Sequence, residues 1–408
     1  MGDPASSRAS PSPVSPSPAP PIAELIATLA LQTLATMAAF SVPAAAPEIS
    51  RDLGIDAALV GFFVAIVYGV GIASALLSPV LIRRFGAVRV GQAILMGAIV
   101  MLATAAAGQG AATLGLSAAL LGTGYGATAP VAAHLLLPRT SARTLNLIIS
   151  IRQVGVPLGG VLAGLVVPPV VVAAGWRWAL LGQIVPIALL ALLLQIPRAR
   201  WDADRNPAQE LATGAWMVPF RLLRTRPELR TLSVAGFVYS GLQLCFIAFM
   251  TVHLTVTGGF DLVTAGQALA AYQVCGAVSR PIWGWIADRF VPARTLLVLQ
   301  GLVMAAAAVA MGLVGPAWPG AAVFALAAVA GATASGFTGI AYAEFARIGG
   351  ERRTEATGLG SAAMFAGVLV LPSLFGVVAS AAGGYPAGYA LAAAAAAACA
   401  VMLRLVRR

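Results

Sequence analysis

The chain has 408 residues, of which 60% are hydrophobic and only 10% are charged, and its mean hydropathy is +0.91. This composition excludes an ordinary soluble domain and is typical of a protein that crosses a membrane many times. The net charge of +11 does not indicate a nucleic-acid partner, because the arginines lie between apolar segments and not in basic patches interleaved with aromatic residues.

Residues 1–21 are rich in proline and serine and lack the basic start and apolar stretch of a signal peptide. Such a segment buries too little apolar surface to fold, so we predict a disordered cytoplasmic tail. The first apolar segment is then a permanent membrane helix. All 25 basic residues are arginine, which we interpret as the codon bias of a GC-rich, bacterial genome.

A helix needs about 20 apolar residues to cross the hydrocarbon core of a membrane. The sequence contains twelve such segments, centred near residues 34, 67, 98, 123, 155, 186, 243, 274, 304, 331, 368 and 394. The long internal connection separates spans six and seven. We therefore predict an all-α membrane protein of two six-helix bundles, residues 22–197 and 231–408, joined by a cytoplasmic linker over residues 198–230.

The linker contains apolar residues at helical spacing, Trp216, Phe220 and Leu223, opposite Arg221 and Arg224. This pattern predicts an amphipathic helix at the membrane interface. A solvated linker with helix-capping charge is an equally good interpretation of the same residues.

The arginines concentrate in the loops that follow even-numbered spans, in the linker and at the C-terminus, and this set includes Arg280. Only Arg51 and Arg177 fall on the opposite side. Because basic residues mark the cytoplasmic side of a membrane protein, we predict that both termini are cytoplasmic, in the inner membrane of a bacterium. Arg152 belongs to neither side.

The loops after spans two and eight repeat one pattern, "IRRFGAVR" at residues 82–89 and "ADRFVPAR" at residues 287–294. One constant offset relates the matched pairs Arg84 and Arg289, Phe85 and Phe290, and Arg89 and Arg294. Parallel repeats of this kind place a central site between two pseudo-symmetric bundles in transporters.

The stretch "GWIADRF" followed by Arg294 resembles the loop signature of the major facilitator superfamily, with Gly284, Asp288 and Arg289 in place. The "GVPLGG" of span five resembles the glycine- and proline-rich motif of the same superfamily. The resemblance implies a membrane transporter whose twelve helices form two pseudo-symmetric six-helix bundles.

The chain departs from the family pattern at three positions. In the first loop, Pro79 and Arg83 replace the family's glycine and aspartate, and in span four Ala118 stands where many proton-driven drug exporters carry arginine. The last departure argues against that subclass of exporters.

The resemblance also implies a breakable cytoplasmic latch, in which the loop carboxylate faces the N-terminus of a helix from the opposite half. Asp288 would then meet the start of span five, near Arg143 and Thr144, where free backbone N–H groups carry partial positive charge. The matching Arg83 would need Glu351 or Glu355 at the start of span eleven. The predicted gating residues are Gly284, Asp288, Arg289, Arg294, Arg83, Arg84 and Glu355. The alternative is a set of positive loops without a latch.

Arg152 lies nine residues after Arg143, roughly 13 Å into span five. Charges at this depth are costly and face a cavity or a partner. The embedded sequence offers few carboxylates, so Arg152 suits an anionic substrate that brings its own charge. The alternative is a structural arginine that binds carbonyls or Glu344. Gly155 and Gly159 follow Arg152 on one helix face, which either leaves room for a ligand or allows close helix packing.

Other polar and aromatic residues within the spans complete the predicted substrate site, although each could equally form an interhelical hydrogen bond. With Arg152, the predicted substrate-binding residues are Gln153, Gln32, Tyr68, Tyr125, Tyr239, Gln243, Tyr272, Gln273 and Tyr342.

We therefore predict a secondary transporter, monomeric in the lipid bilayer, that moves a small organic anion by alternating access. Proton symport is compatible if the substrate carries the proton, and uniport and exchange remain open. The alternative is an efflux transporter for neutral or cationic drug-like compounds. No enzymatic cluster, no GxxxxGK nucleotide motif and no CxxC pair occurs in the sequence, so we expect no catalytic residues, no cofactor and no metal.

Overall fold

The computed structural model describes residues 21–209 and 217–406. Apart from Pro21, the predicted disordered tail lies outside these residues, and so does Trp216 of the predicted amphipathic helix. The part of the chain that is described contains helices and no strand, which confirms the predicted all-α class.

Ten helices build the first half of the chain. They are α1 (Ile22–Ala44), α2 (Ala46–Leu53), α3 (Ala57–Phe85), α4 (Ala87–Ala106), α5 (Ala111–Tyr125), α6 (Thr128–Leu136), α7 (Leu145–Gln153), α8 (Gly155–Ala174), α9 (Trp176–Leu181) and α10 (Ile184–Leu193).

The linker and the second half follow. Their helices are α11 (Arg198–Trp201), α12 (Val218–Thr225), α13 (Pro227–Val256), α14 (Leu262–Arg289), α15 (Ala293–Gly312), α16 (Gly320–Ala330), a π-helical segment Gly331–Ser335, α17 (Thr338–Gly349), α18 (Arg353–Ala381) and α19 (Tyr385–Leu405). Helix α12 buries Pro219 and Leu222, while Phe220 stays exposed on its other side.

By length and hydropathy, the described residues contain ten helical stretches that could cross a membrane. One of them, Gly320–Ala381, has 62 residues and holds two passes, because the chain turns at Gly350 with φ +58°, a conformation that favours glycine. Helix α14 is the remaining pass, and Gln267, Gln273 and Arg280 lower its hydropathy. Counting Gly320–Ala381 as two passes and adding α14 to the ten stretches gives the twelve predicted spans.

In each half, a serine hydroxyl bonds to the backbone of a neighbouring helix at the point where that helix is interrupted. In the first, the Ser74 hydroxyl donates to the carbonyl of Gly122 at 2.9 Å and accepts the amide of Gly126 at 3.1 Å, where α5 gives way to α6. In the second, the Ser279 hydroxyl donates to the carbonyl of Ala332 at 3.0 Å, within the π-helical segment. Ser74 and Ser279 are related by the offset of the loop repeat, so the repeat extends into the spans.

We call the end of the molecule that carries the linker and the α3–α4 and α14–α15 loops the linker side. The two halves meet there through close backbone contacts between helices α3 and α18 and between α7 and α17. A Cβ atom on Gly358 would lie 2.5 Å from the carbonyl oxygen of Ala75, and one on Gly339 would lie 2.5 Å from Cα of Ser150. Glycine is therefore required at both positions.

The glycines after Arg152 serve helix packing. A Cβ on Gly159 would lie 2.4 Å from the carbonyl oxygen of Thr33 in α1, and one on Gly155 would lie 2.9 Å from Cβ of Gln32. The packing interpretation of this stripe therefore holds, and these positions leave no space for a ligand.

We predict that Gly159→Ala destabilises the protein by about 1–3 kcal/mol, because its methyl group must push α1 and α8 apart. The measurement is the melting temperature of the detergent-purified protein. Gly160→Ala is the matched control, since a Cβ there meets nothing within 4 Å. Equal melting temperatures for the two variants would contradict the packing assignment.

Candidate functional site

Arg152 lies at the C-terminal end of α7, and only 2% of it is exposed. Its Nη2 donates to the carbonyl of Thr128 at 2.7 Å, and its Nη1 donates to the side-chain oxygen of Gln153. Its buried Nε has no hydrogen-bond partner among the described residues. Glu344 is not its partner, because that carboxylate binds Arg347 at 2.5 and 2.7 Å.

Arg280 is a second buried arginine, and the prediction that it belongs to the loop arginines is wrong. It is 2% exposed in α14, where Nε donates to the carbonyl of Ser335 at 3.0 Å and Nη2 to the hydroxyl of Ser335 at 3.2 Å. Arg280 lies eight residues before Asp288, roughly 12 Å into the helix. That spacing is the sequence signal that could have identified it.

The two arginines meet at Gln153. Pro157 lacks an N–H group and cannot donate to the carbonyl four residues before it, which is that of Gln153. The Nη1 of Arg280 donates to this carbonyl from the opposite half of the molecule, while Arg152 binds the side chain of the same residue. Gln153 therefore joins α7 to α14.

Gln243 and Tyr272 lie beside Arg280. The Gln243 amide donates to the hydroxyl of Ser335 at 3.4 Å, and the Tyr272 hydroxyl donates to the carbonyl of Gln243 at 3.3 Å. Ser335 belongs to the π-helical segment, an irregularity that occurs frequently at functional sites. This segment presents the carbonyl and the hydroxyl that orient Arg280.

Tyr68, Tyr125 and Phe365 form an aromatic cluster, and Tyr125 lies within electrostatic range of Arg152. The ring of Phe365 lies 4.9 Å from that of Tyr68 and 5.8 Å from that of Tyr125, so the cluster joins the two halves. The Tyr125 hydroxyl lies 3.1 Å from that of Thr36, which accepts the Gln32 amide at 2.9 Å. Gln32 therefore contributes to the site through Tyr125.

A cavity of about 10 Å³ remains beside Arg152, enough for about one water molecule. Gln153 and Tyr342 also line it, and the Tyr342 hydroxyl lies 3.1 Å from that of Ser361. The space that these residues leave beside Arg152 is therefore too small for an organic molecule.

Two predicted site residues lie elsewhere. Tyr239 packs inside the second bundle, where its hydroxyl donates to the carbonyl of Leu297 at 3.3 Å and its ring contacts Phe337. Its predicted role is corrected to packing between α13 and α15. Gln273 is exposed on the face of α14 that carries Arg280, two helical turns farther from the linker side.

Asp288 makes the contact that the sequence predicted. Its Oδ1 accepts the amide of Asn146 at 3.0 Å and its Oδ2 accepts the amide of Leu147 at 2.9 Å, at the N-terminus of α7 in the other half. A Cβ on Gly284 would lie 2.6 Å from the carbonyl oxygen of Asn146, so a glycine at this position allows α14 to pack closely against α7. These contacts couple the loop to the helix that carries Arg152.

Arg83 forms an ion pair with Glu355 at the start of α18, in the position where the sequence predicted a charge-swapped contact. Glu355 is buried, whereas the Arg83 side chain is 44% exposed. This pair and the Asp288 contacts join the two halves at the linker side. We call these contacts the latch, and their role in gating stays a prediction.

The other predicted gating residues bind within their own half or the linker. Arg84 donates to the carbonyl of Gln209 at 2.8 Å, and Arg294 donates to the carbonyls of Leu403 and Val406. Arg289 is exposed.

The linker packs against the linker-side end of the first bundle. Asp202 accepts the amides of Val88 and Arg89 at 2.8 and 3.2 Å, at the N-terminus of α4. Burial raises the pKa of Asp202, and these two amides act in the opposite direction. His134 bridges Asp204 at 2.8 Å and Thr354 of α18 at 3.4 Å, so the linker also reaches the second half.

The family model of the Major Facilitator Superfamily matches residues 28–347 and 259–408. The chain belongs to this superfamily. The predictions of a membrane transporter with the superfamily fold, and not an enzyme, are confirmed.

Two curated relatives match part of this transporter. It is 28% identical to a gallate transporter from Pseudomonas putida over 210 residues, which cover 45% of this chain and 47% of the relative. It is 31% identical to the probable nitrate/nitrite transporter NarK2 of Mycobacterium tuberculosis over 80 residues, 19% of this chain and 20% of the relative. The matches span about half or less of the relatives' length.

Among solved structures, the transporter is similar to a bacterial homologue of the iron transporter ferroportin in an outward-facing state. The TM-score is 0.76 at 15% identity, and the similarity covers 94% of this chain and 98% of that one. At this identity the similarity shows a shared fold.

We predict that Arg83→Glu and Glu355→Arg each destabilise this transporter by about 1–3 kcal/mol, because each leaves like charges in contact beside a buried position. The range allows for solvent screening at Arg83. The double variant restores the ion pair and is expected to recover at least half of the lost melting temperature. Arg84→Glu combined with Glu355→Arg is the control and should show no recovery. A charge-swapped double variant no better than its worse single variant would rule out the pairing.

Proposed function

We propose that this transporter moves a small organic anion by alternating access, in the inner membrane of a bacterium with the linker side in the cytoplasm. One observation carries the proposal: Arg152 and Arg280, both 2% exposed, converge on Gln153 between the two halves. A site at the contact between the halves is where the rocking of two bundles exposes a substrate alternately to each side.

The two guanidinium groups lack an acidic partner in the described part of the chain. Their bonds go to the carbonyls of Thr128, Gln153 and Ser335, to the Ser335 hydroxyl and to the Gln153 amide oxygen. Two positive charges at membrane depth are costly without compensation. A substrate carboxylate would supply that compensation, because a guanidinium binds it by two parallel hydrogen bonds.

The buried carboxylates nearby are already paired at the linker side. Glu24 lies 3.3 Å from Arg139, Glu344 binds Arg347, and Glu355 pairs with Arg83. None of them is left to neutralise Arg152 or Arg280. This supports the proposal that the positive charges of Arg152 and Arg280 bind an anionic substrate.

The aromatic cluster favours a carboxylate attached to a ring. Tyr68, Tyr125 and Phe365 form one cluster, of which Tyr125 lies within electrostatic range of Arg152. Offset or edge-to-face contacts between aromatic rings stabilise by about 0.5–1.5 kcal/mol beyond area burial. The partial relatives are named as transporters of gallate and of nitrate or nitrite, which are anions. Both names support an anionic substrate, and gallate, a carboxylate attached to a ring, also supports an aromatic one.

We predict that small aromatic carboxylates raise the melting temperature of the purified protein, and that Arg152→Gln and Arg280→Gln each weaken this binding about 10- to 100-fold. A hydrogen bond to a charged group contributes about 1.5–3 kcal/mol, and each variant removes the charge. The measurement is a thermal-shift titration with benzoate and hydroxybenzoates.

Arg177→Gln is the control for this titration, because Arg177 pairs with Asp52 at the end of the molecule opposite the linker side. It should respond as the wild type does. Stabilisation by neutral or cationic compounds, undiminished in both arginine variants, would instead support the drug-efflux alternative.

We predict that Phe365→Leu weakens benzoate binding about 3- to 10-fold while leaving the response to acetate and lactate unchanged, because only the ring contact is lost. Competition between these acids in the same assay measures the ratio. An equal loss for aromatic and aliphatic acids would contradict the role of the aromatic cluster.

A further inference from the structure

A second cavity, of about 280 Å³, opens at the linker side within the second bundle. The ends of α13, α15, α17 and α19 enclose it. Its charged lining residues are Arg226, Arg294, Arg347, Glu228 and Glu344. It shares no lining residue with the small cavity beside Arg152, so it is a separate site.

The cavity has excess positive charge. Arg347 and Glu344 neutralise one another through two hydrogen bonds, and Glu344 is 4% exposed. Arg226 and Arg294 then face the single remaining carboxylate of Glu228. An anion that enters the cavity therefore balances its charge.

The arginines keep donors for a ligand. Arg294 uses Nε and Nη2 on the carbonyls of Leu403 and Val406, and Arg226 uses Nη1 on the carbonyl of Ile348 at 3.3 Å. A guanidinium has five N–H groups on three nitrogens. Within the described part of the chain, Nη1 of Arg294 and Nη2 of Arg226 have no partner.

The first bundle differs from the second at the start of the helix that follows the repeated loop. There the carboxylate of Asp202, from the linker, accepts the amides of Val88 and Arg89 at the start of α4. Arg294 matches Arg89 in the loop repeat, but α15 begins after Pro292 with no side-chain cap. Among the described residues, the second bundle thus lacks the linker carboxylate that accepts these amides in the first bundle.

We propose that this cavity binds a phosphate group, carried either by an anionic phospholipid headgroup or by a free phosphate ion. The remaining N–H donors of Arg226 and Arg294 suit an acceptor with several oxygens directed at different donors. The cavity size is close to the lower end of small-molecule sites, about 300 Å³. The site lies in one bundle only, so it is independent of the latch and of the proposed substrate site.

The test is a thermal-shift titration of the full-length protein in detergent, with inorganic phosphate in one arm and mixed micelles of phosphatidic acid or phosphatidylcholine in the other. We expect Arg226→Gln to raise the apparent dissociation constant about 10-fold. Arg230→Gln is the matched control, since it is an exposed arginine one turn along α13 that does not line the cavity. Arg152→Gln should retain the full response.

Stabilisation by inorganic phosphate would support the site and identify free phosphate as sufficient. Stabilisation by phosphatidic acid alone would support it with the lipid headgroup as the source. No response of the wild type in either arm would overturn the proposal, and so would an Arg226→Gln variant that responds like the wild type. A response lost in Arg152→Gln would place the anion in the central site and also overturn it.

Discussion

The hydrogen bond from Arg280 to the carbonyl of Gln153 is the contact on which the central site depends. A backbone carbonyl without a partner is costly at membrane depth, and Pro157 creates one between α7 and α8. Because the donor comes from the opposite half, the bond repairs the broken helix and joins the halves at once. It also places a second cation at Gln153, the residue whose side chain Arg152 binds.

Side chains that bond to otherwise unpaired backbone groups also form the Asp288 contacts and hold the interrupted helices. Asp288 takes two free amides at the start of α7, Ser279 donates to the carbonyl of Ala332, and Arg152 donates to that of Thr128. Each irregular helix end is thus satisfied by a side chain from a neighbouring helix. Of these bonds, only those of Asp288 cross between the halves. Under the proposed alternating access they would exchange for water when the halves separate, whereas the bonds of Ser279 and Arg152 lie within one half each and would hold its helices.

The sequence predicted the number of spans, the family and both latch contacts, because each depends on local hydropathy or on a loop motif. It predicted neither the role of Arg280 nor that of Tyr239. Arg280 was counted as a loop residue because arginine near a helix end is the usual topology signal, and its partner carbonyl is visible only once α14 meets α7. Tyr239 faces α15, and the low amphipathicity of membrane helices gives no sequence signal for the face that a polar residue occupies.

The repeat explains why a pseudo-symmetric fold has an asymmetric charge distribution. The offset that relates Ser74 to Ser279 places Ala75 opposite Arg280, so the first half has the same helix contact without the cation. At the latch the charges are reversed, with Arg83 in the position of Asp288. The backbone geometry of the two halves is thus shared, while the charged side chains differ. Because the two buried arginines lie on helices of opposite halves and meet at Gln153, the anion of the proposed function would bind to both halves and bridge them.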